Sequence, residues 1–394
     1  MDPVYFDNAA TSWPKPPGVR TAMDEYFGAA GGNPGRSGHR MSIAAARLVE
    51  DARALLGRLF NAGDPSRMIL TKNATEALNL AICGLAGPGD HVITSSIEHN
   101  SVMRPLRYLE SFGLELTTVE CSPEGTLDPA DVAAAFRPNT RLLVTLHGSN
   151  VLGTLLPIQN LAQLAAQNGV PYLVDASQTA GAAQIDVQSL GIGLLAFPGH
   201  KALLGPTGTG ALYIHEGIEL KPIMWGGTGS RSDLEFQPDF APDMYESGTL
   251  NVAGLAGLAA GIRHILDIGI ESIEAHERSL VGRFLSGAAQ IPGLTVHGPP
   301  GLDERCGVIS FNVDGLAPSD VGVVLDRDFS ILSRVGLHCA PGAHRTIGTF
   351  PTGSVRFGFG PSNTESEVDV ALEALSELCA WADDRSQPDR AGRA

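Results

Sequence analysis

Short apolar runs alternate with longer helical patterns between residues 66 and 215, and this alternation constrains the fold more than any other feature of the chain. Two of the apolar runs, "RLLVTLHGSN" (141–150) and "VPYLVDASQT" (170–179), end in polar residues. Strands that alternate with helices form a mostly parallel sheet with helices on both faces, and ligands bind at the carboxyl ends of its strands. The pattern therefore predicts an α/β domain in which each polar strand end is a candidate site.

The pattern changes after residue 250. Helical spacing with many small residues covers 251–290, and two strand-like runs at 307–315 and 353–360 enclose a further helical pattern at 317–329. Such a mixture predicts a second, smaller α+β domain at the C-terminal end of the chain.

We divide the chain accordingly. The large domain is expected at 20–262, and the small domain is expected to combine the N-terminal strip 1–19 with residues 263–382. The polar segment 383–394 carries Pro and Gly and is expected to be a frayed tail.

Composition excludes several classes of function. The 394 residues carry a net charge of -16, and the sequence contains no dense Lys/Arg run, which disfavours nucleic acid or anionic membranes as partners. The N-terminus lacks a basic region followed by an apolar core, so a cytoplasmic location is expected. The five cysteines are scattered without a CxxC pair, which argues against a disulfide framework or a structural metal site.

One lysine, Lys201, stands in the glycine-rich stretch "AFPGHKALLGPTGTGAL" (196–212). A phosphate-binding P-loop lysine follows its glycines and precedes Ser or Thr, whereas Lys201 precedes "GPTGTG", so that interpretation fails on residue order. A nucleotide-binding module would depend on "GPTGTG" alone. A solvated loop lysine and an amine that bonds covalently to a ligand remain open on this stretch by itself.

Two other strand ends favour the covalent amine. Asp175 ends an apolar strand, where an unpaired carboxylate would be costly, and Thr75 lies at the start of a helix whose free N–H groups suit a phosphate. A carboxylate can keep a pyridine nitrogen protonated while an amine holds an aldehyde. Lys201, Asp175 and Thr75 together therefore predict a site for pyridoxal 5'-phosphate (PLP).

Nine segments of the chain resemble those of a known family. The matching segments run in order from residue 5 to residue 364 and are "YFDNAATSWPKP", "NATEALN", "SSIEHNS", "HGSNVLGT", "VDASQTAG", "GHKALLGPTGTG", "YESGTLN", "RVGLHCA" and "VRFGFGPSNT". They are similar to the class V aminotransferase family, and within it to the cysteine desulfurase and selenocysteine lyase group. The resemblance implies the PLP-dependent transferase fold type I, in which a large, mostly parallel-sheet domain is joined to a smaller α+β domain.

The resemblance also implies roles around the cofactor. Lys201 would be the Schiff-base lysine, Asp175 would pair with the pyridine nitrogen, and Gln178 would bond the phenolic oxygen. His99 would stack on the ring and act as a catalytic acid or base, with Asn150 nearby. The phosphate would be held by Ala74, Thr75, His200 and, from the second subunit of a homodimer, Thr249. The family usually has a serine where this chain has Pro198, so one phosphate hydrogen bond is expected to be missing or replaced.

On the substrate side, the resemblance implies that Arg356 binds the α-carboxylate and that Cys339 is the catalytic nucleophile. Asn8, Ala10, Asn150 and His338 are the other expected substrate-binding residues. The residues themselves favour a thiolate, since His338, His344 and Arg345 supply positive character near Cys339. Without the resemblance, a surface cysteine with no role would fit equally well.

The function implied is that of a cysteine desulfurase, which converts L-cysteine to L-alanine and leaves a persulfide on Cys339. The alternatives are a selenocysteine lyase acting on L-selenocysteine and, as a minor one, an aminotransferase. Differences around Cys339, Asn8, Ala10 and the loop 33–40 would separate the two main substrates. The short Cys339 loop is similar to the branch that passes sulfur to a separate acceptor protein.

Overall fold

The computed structural model describes residues 3–35 and 37–386; Arg36, in the loop 33–40, and residues 387–394 of the expected tail lie outside that part. The strands are β1 (Val4–Tyr5), β2 (Met68–Thr71), β3 (His91–Ser95), β4 (Glu115–Val119), β5 (Thr140–Leu146), β6 (Tyr172–Asp175), β7 (Leu194–Pro198), β8 (Gly210–Ile214), β9 (Leu294–Val296), β10 (Val308–Val313), β11 (Ile331–Leu332), β12 (Arg334–Gly336) and β13 (Ser354–Gly358).

Twelve α-helices are interspersed with these strands in the described part of the chain. They are α1 (Pro17–Ala29), α2 (Arg40–Leu59), α3 (Ala74–Leu85), α4 (Asn100–Glu110), α5 (Pro129–Ala135), α6 (Ile158–Gln167), α7 (Val187–Leu190), α8 (Val252–Ile268), α9 (Ile270–Ala288), α10 (Pro318–Phe329), α11 (Pro341–Thr346) and α12 (Glu365–Ser386).

The large sheet has seven strands in the order β2-β8-β7-β6-β5-β3-β4. Its strands are parallel except for β8, which runs antiparallel to both β2 and β7. The central strands β6 and β7 are buried throughout and apolar apart from Asp175 at the end of β6, as expected for a sheet covered on both faces. The predicted mostly parallel sheet is therefore confirmed.

Two smaller sheets follow. β12, β13, β10 and β9 form an antiparallel four-stranded sheet that packs with α9, α10 and α12 around a second apolar core. Near the N-terminus, β1 pairs in parallel with β11, so the first residues of the chain join its C-terminal third.

The predicted boundary between residues 262 and 263 falls inside α8, and the division into domains stays a prediction. Residues 383–386, the first four of the expected tail, belong to α12. Among the described residues no single helix is both long and apolar enough to cross a membrane; α8 and α9 meet those criteria only as a pair, bent by 81°.

Candidate active site

The carboxyl ends of the central strands and the N-termini of α3 and α4 enclose a cavity of about 180 Å³. Most of the residues that the sequence assigned to a cofactor line this cavity: Ala74, Thr75, His99, Asn150, Asp175, Gln178, His200 and Lys201. Thr249 is the exception, because it lies exposed in the loop before α8. Residues far apart in the chain thus meet where the strand pattern predicts a site.

Asp175 is the last residue of β6, and Lys201 lies just beyond the end of β7. These two strands are neighbours and pair in parallel. Burial lowers the pKa of Lys201 to about 8, although the nearby Asp175 carboxylate opposes that shift. Asp175 is only 3% exposed and accepts hydrogen bonds from the Ser177 N–H and hydroxyl on Oδ1. Its Oδ2 accepts none from the described residues, so it remains available to a ligand.

The N-terminus of α3 forms another wall. Asn73 caps this helix by accepting from the Glu76 N–H at 2.9 Å, and the first N–H groups of a helix have no partner within the helix. The Thr75 hydroxyl lies 2.8 Å from the Ser101 hydroxyl, and both residues line the cavity. This wall therefore presents backbone and hydroxyl donors together, an arrangement that suits an anion.

His99 is the N-cap of α4, where its Nδ1 accepts from the Ser101 N–H at 3.0 Å. Burial lowers the pKa of His99 to about 4, with Asp175 opposing the shift and Lys201 adding to it. The imidazole is consequently neutral at pH 7. A neutral ring on the cavity wall can stack on a planar ligand and can still exchange a proton.

Two buried polar atoms on the cavity wall, His200 Nδ1 and Asn150 Oδ1, have no hydrogen-bond partner among the described residues. Buried polar groups are normally satisfied, so these atoms point to a polar ligand in the cavity. Gly148 also lines the cavity, and a Cβ there would lie 2.9 Å from Thr179 Cγ2. The orphaned atoms, the carboxylate, the amine and the anion-binding wall fit the groups of PLP.

Arg356 lies on β13 and is 2% exposed. Its guanidinium donates to Asp7 Oδ1 at 2.8 Å and to the Asn150 carbonyl at 3.0 Å, while the buried Nε has no partner among the described residues. An unsatisfied N–H on a guanidinium can donate to a further carboxylate. The arginine is thus fixed by Asp7 and Asn150 and retains a donor.

Of the five cysteines, all within the described residues, Cys339 alone is exposed. It stands in a tight turn before α11, where His338 and Cys339 have φ values of 48° and 60°. Such left-handed conformations are costly for residues other than glycine. The Asn150 side chain donates to the His338 carbonyl at 2.6 Å, so one residue links the cysteine turn to Arg356.

The expected positive charge from the two histidines near Cys339 is corrected by the structure. Burial lowers the pKa of His338 to about 2 and that of His344 to about 4, so both rings are neutral at pH 7. His344 is fully buried, and Arg345 lies 4.3 Å from the centre of the Phe350 ring. The sequence showed which residue types were present but not that packing would remove the charge from two of them.

Asn8 and Ala10 lie outside this cavity. The Asn8 side chain donates to the Gly358 carbonyl and to Asn363 Oδ1 and accepts from the Trp13 N–H, so both of its polar atoms have protein partners. Ala10 is half-buried in the adjacent turn. Asn8 nevertheless lines a smaller neighbouring cavity together with Gln178 and Lys201, whereas Ala10 lines neither cavity.

Comparison with known proteins gives a family match. The family model described as Aminotransferase class-V matches residues 4–371. The chain belongs to the class V aminotransferase family.

Relatives in this family carry a more specific name. A probable cysteine desulfurase from Methanothermobacter thermautotrophicus is 36% identical, over 96% of this chain and 95% of the relative. Another from Pyrococcus abyssi is 38% identical, over 95% of this chain and 94% of the relative. The apo structure of a cysteine desulfurase from Thermococcus onnurineus NA1 superposes with a TM-score of 0.91 at 37% identity, covering 96% of this chain and 95% of that one. These matches confirm the resemblance and fold type I.

Ser101, Ser177 and Gly148 also line the cavity of this class V aminotransferase family member, and sequence reasoning missed their roles. Ser101 hydrogen-bonds both Thr75 and His99, and Pro198 lines the same cavity without a side-chain donor. The one available signal for Ser101 was its place two residues after His99, in the first turn of a helix. Its contact with Thr75 depends on tertiary packing.

Proposed function

We propose that this class V aminotransferase family member is a PLP-dependent cysteine desulfurase. The observation that carries the proposal is the linkage through Asn150, which joins the exposed Cys339 turn to the buried Arg356 beside the cavity that contains Lys201. An aminotransferase needs the lysine and the arginine but has no use for a nucleophilic thiol held at the same site. The relatives named cysteine desulfurase add support.

Several residues would hold PLP. Lys201 would bind its aldehyde, Asp175 Oδ2 its pyridine nitrogen, and Gln178 its phenolic oxygen. The phosphate would lie at the N-terminus of α3, with donors from Ala74, Thr75, His200 and, in place of the serine absent at Pro198, Ser101. When bound, PLP withdraws electrons from the substrate's α-carbon.

The protein's own groups would then move protons and sulfur. Arg356 binds the substrate carboxylate, which directs the α-hydrogen toward Lys201 Nζ, and an amine with a pKa near 8 is a competent base at neutral pH. The neutral His99 ring exchanges protons with the reacting groups. Cys339 Sγ, as thiolate, attacks the substrate sulfur; the S–S bond forms as the Cβ–S bond breaks. The net change converts L-cysteine and the enzyme thiol into L-alanine and an enzyme persulfide.

The test is alanine formation by the PLP-loaded protein with L-cysteine and, separately, with L-selenocysteine. We expect wild-type turnover of L-cysteine to be lost in Cys339→Ala, with Cys83→Ala as the matched control that retains it. Turnover of L-selenocysteine with L-cysteine inert would replace the proposal with a selenocysteine lyase. Full turnover by Cys339→Ala with a keto-acid product would replace it with an aminotransferase.

We further propose that the enzyme is a homodimer. The loop that carries the exposed Thr249 packs against a segment with large exposed aromatic side chains, including Trp225 at 68% and Phe236 at 84%. A second subunit would cover these side chains and receive Thr249. The double variant Trp225→Ser/Phe236→Ser should elute as a monomer in size-exclusion chromatography, whereas Tyr108→Ser, which removes an exposed aromatic elsewhere, should not. A wild-type monomer would refute the proposal.

The exposed position of Cys339 supports transfer of the persulfide sulfur to a separate acceptor protein. A persulfide-transfer assay in which candidate acceptors fail to accelerate turnover of L-cysteine would count against this step.

A further inference from the structure

The N-terminal segment 7–15 contacts several residues of the site. Asp7 pairs with Arg356 at 2.8 Å, and the Ala9 carbonyl accepts from the Gln178 side chain at 3.1 Å. The same segment therefore contacts the expected carboxylate-binding arginine and one of the expected cofactor-binding residues. Its contacts from Thr11, Ser12 and Lys15 converge on the backbone that carries Lys201.

The His200 carbonyl is the centre of these contacts. It accepts from the Thr11 hydroxyl and the Ser12 N–H, each at 3.0 Å, and from the Lys15 ammonium at 2.8 Å. Ser12 also donates its hydroxyl to the Lys201 carbonyl at 2.8 Å and accepts from Lys15 at 2.7 Å. A carbonyl oxygen has two lone pairs. Three donors, one of them charged, therefore exceed the number of hydrogen bonds that this oxygen needs.

Lys15 does not behave as a solvated surface lysine. It is half-buried, and burial lowers its pKa to about 8. Of the four lysines in the sequence, Lys72 and Lys221 are exposed, whereas Lys15 and Lys201 meet at one peptide. Partial burial of an ammonium costs free energy, and its hydrogen bonds to the His200 carbonyl and Ser12 offset that cost.

We propose that Lys15 is a positioning residue for Lys201: its ammonium holds the His200 carbonyl and so fixes the peptide from which the Lys201 side chain extends. Within the loop after β7, the Leu204 N–H donates to the Lys201 carbonyl at 2.8 Å and helps to hold this peptide in place. The other hydrogen bonds that hold it come from the N-terminal segment. The proposal rests on the proposed function only in taking Lys201 as the amine that holds PLP.

The test compares Lys15→Met, Lys15→Arg and the exposed control Lys72→Met, each loaded with PLP. The readouts are the pH midpoint at which the absorbance of bound PLP changes, kcat and KM for L-cysteine, and the thermal midpoint without PLP. We expect Lys15→Met to shift the absorbance midpoint, because the peptide that carries Lys201 is no longer held by the ammonium, and to lower kcat about tenfold with little change in KM. Lys15→Arg should restore both, and Lys72→Met should match the wild type.

A Lys15→Met protein with a lower thermal midpoint but an unchanged absorbance midpoint and kcat would overturn the proposal, since Lys15 would then merely anchor the segment. A wild-type protein whose absorbance shows no lysine-bound PLP would overturn both this proposal and the proposed function. If L-cysteine is not a substrate but the absorbance midpoint still shifts in Lys15→Met, the desulfurase proposal fails and the positioning role stands.

Discussion

The cavity wall at the N-terminus of α3 combines hydroxyl groups from two helices. Thr75 and Ser101 come from the first turns of two different helices, yet their hydroxyls lie 2.8 Å apart. Pro198 ends β7 on the same cavity and has neither a side-chain donor nor a backbone N–H. Pro198 therefore offers no hydroxyl to the cavity, and Ser101 offers one from the first turn of α4.

Replacing Ser101 with Ala should weaken PLP binding about tenfold, the factor that corresponds to about 1.4 kcal/mol and to one hydrogen bond with a charged group. Equilibrium dialysis of PLP against the variant measures this change. Ser111→Ala, which removes an exposed hydroxyl just after the same helix, is the matched control. Equal affinity in Ser101→Ala and the wild type would remove Ser101 from the phosphate site.

The positions of Asp175 and Lys201 at strand ends could be predicted from the sequence, because both residues follow apolar runs that are typical of buried strands. The protonation state and the hydrogen-bond partners of individual side chains could not be predicted. His338 is neutral because the fold buries it, and the Asn8 amide is unavailable because backbone and side-chain groups distant in sequence occupy it. Burial and partner choice depend on tertiary contacts that no local pattern contains.

Among the elements, α2 is joined to the loop that precedes α8 by a buried ion pair. Arg53 donates to both carboxylate oxygens of Glu246 at 2.7 and 2.9 Å, and Glu246 also accepts from the Leu70 N–H. Glu246 lies three residues before Thr249, so the pair fixes the base of the loop proposed to reach the second subunit. The helical pattern of the sequence did not indicate this connection, because the two residues are 193 positions apart.

Arg53→Met should lower the free energy of unfolding by about 3–5 kcal/mol, since it leaves the Glu246 carboxylate buried without its cation. Urea unfolding followed by circular dichroism measures the loss. The double variant Arg53→Met/Glu246→Leu should recover much of it, because no lone charge stays buried. If the double variant is as unstable as the single one, packing around α2 accounts for the loss and the ion-pair explanation fails.

At the scale of the whole molecule, buried histidines make stability sensitive to acid. Burial lowers the pKa of five of them to about 4 or below: His99, His147, His200, His338 and His344. Below pH about 6.5 the unfolded chain binds protons at these positions and the folded chain does not. The free energy of unfolding therefore decreases as the pH is lowered. Glu98 and Glu277, whose pKa burial raises to about 8, act in the opposite direction but are fewer.

The urea midpoint of unfolding should therefore be lower at pH 5.5 than at pH 7.5, with each histidine contributing up to about 1.4 kcal/mol per pH unit. His147→Gln should reduce this pH dependence, and the exposed His264→Gln should leave it unchanged. A midpoint that rises on acidification would mean that the buried glutamates dominate.

The fold class was predictable because strand and helix periods are local properties of the sequence. The pairing of β1 with β11 was not, since two-residue strands leave almost no pattern. That pairing has a consequence for biosynthesis. On the ribosome Asp7 is synthesised 349 residues before its partner Arg356. The contact between the N-terminal segment and Arg356 therefore forms only after translation has passed β13, so a nascent chain stays without a finished active site until then.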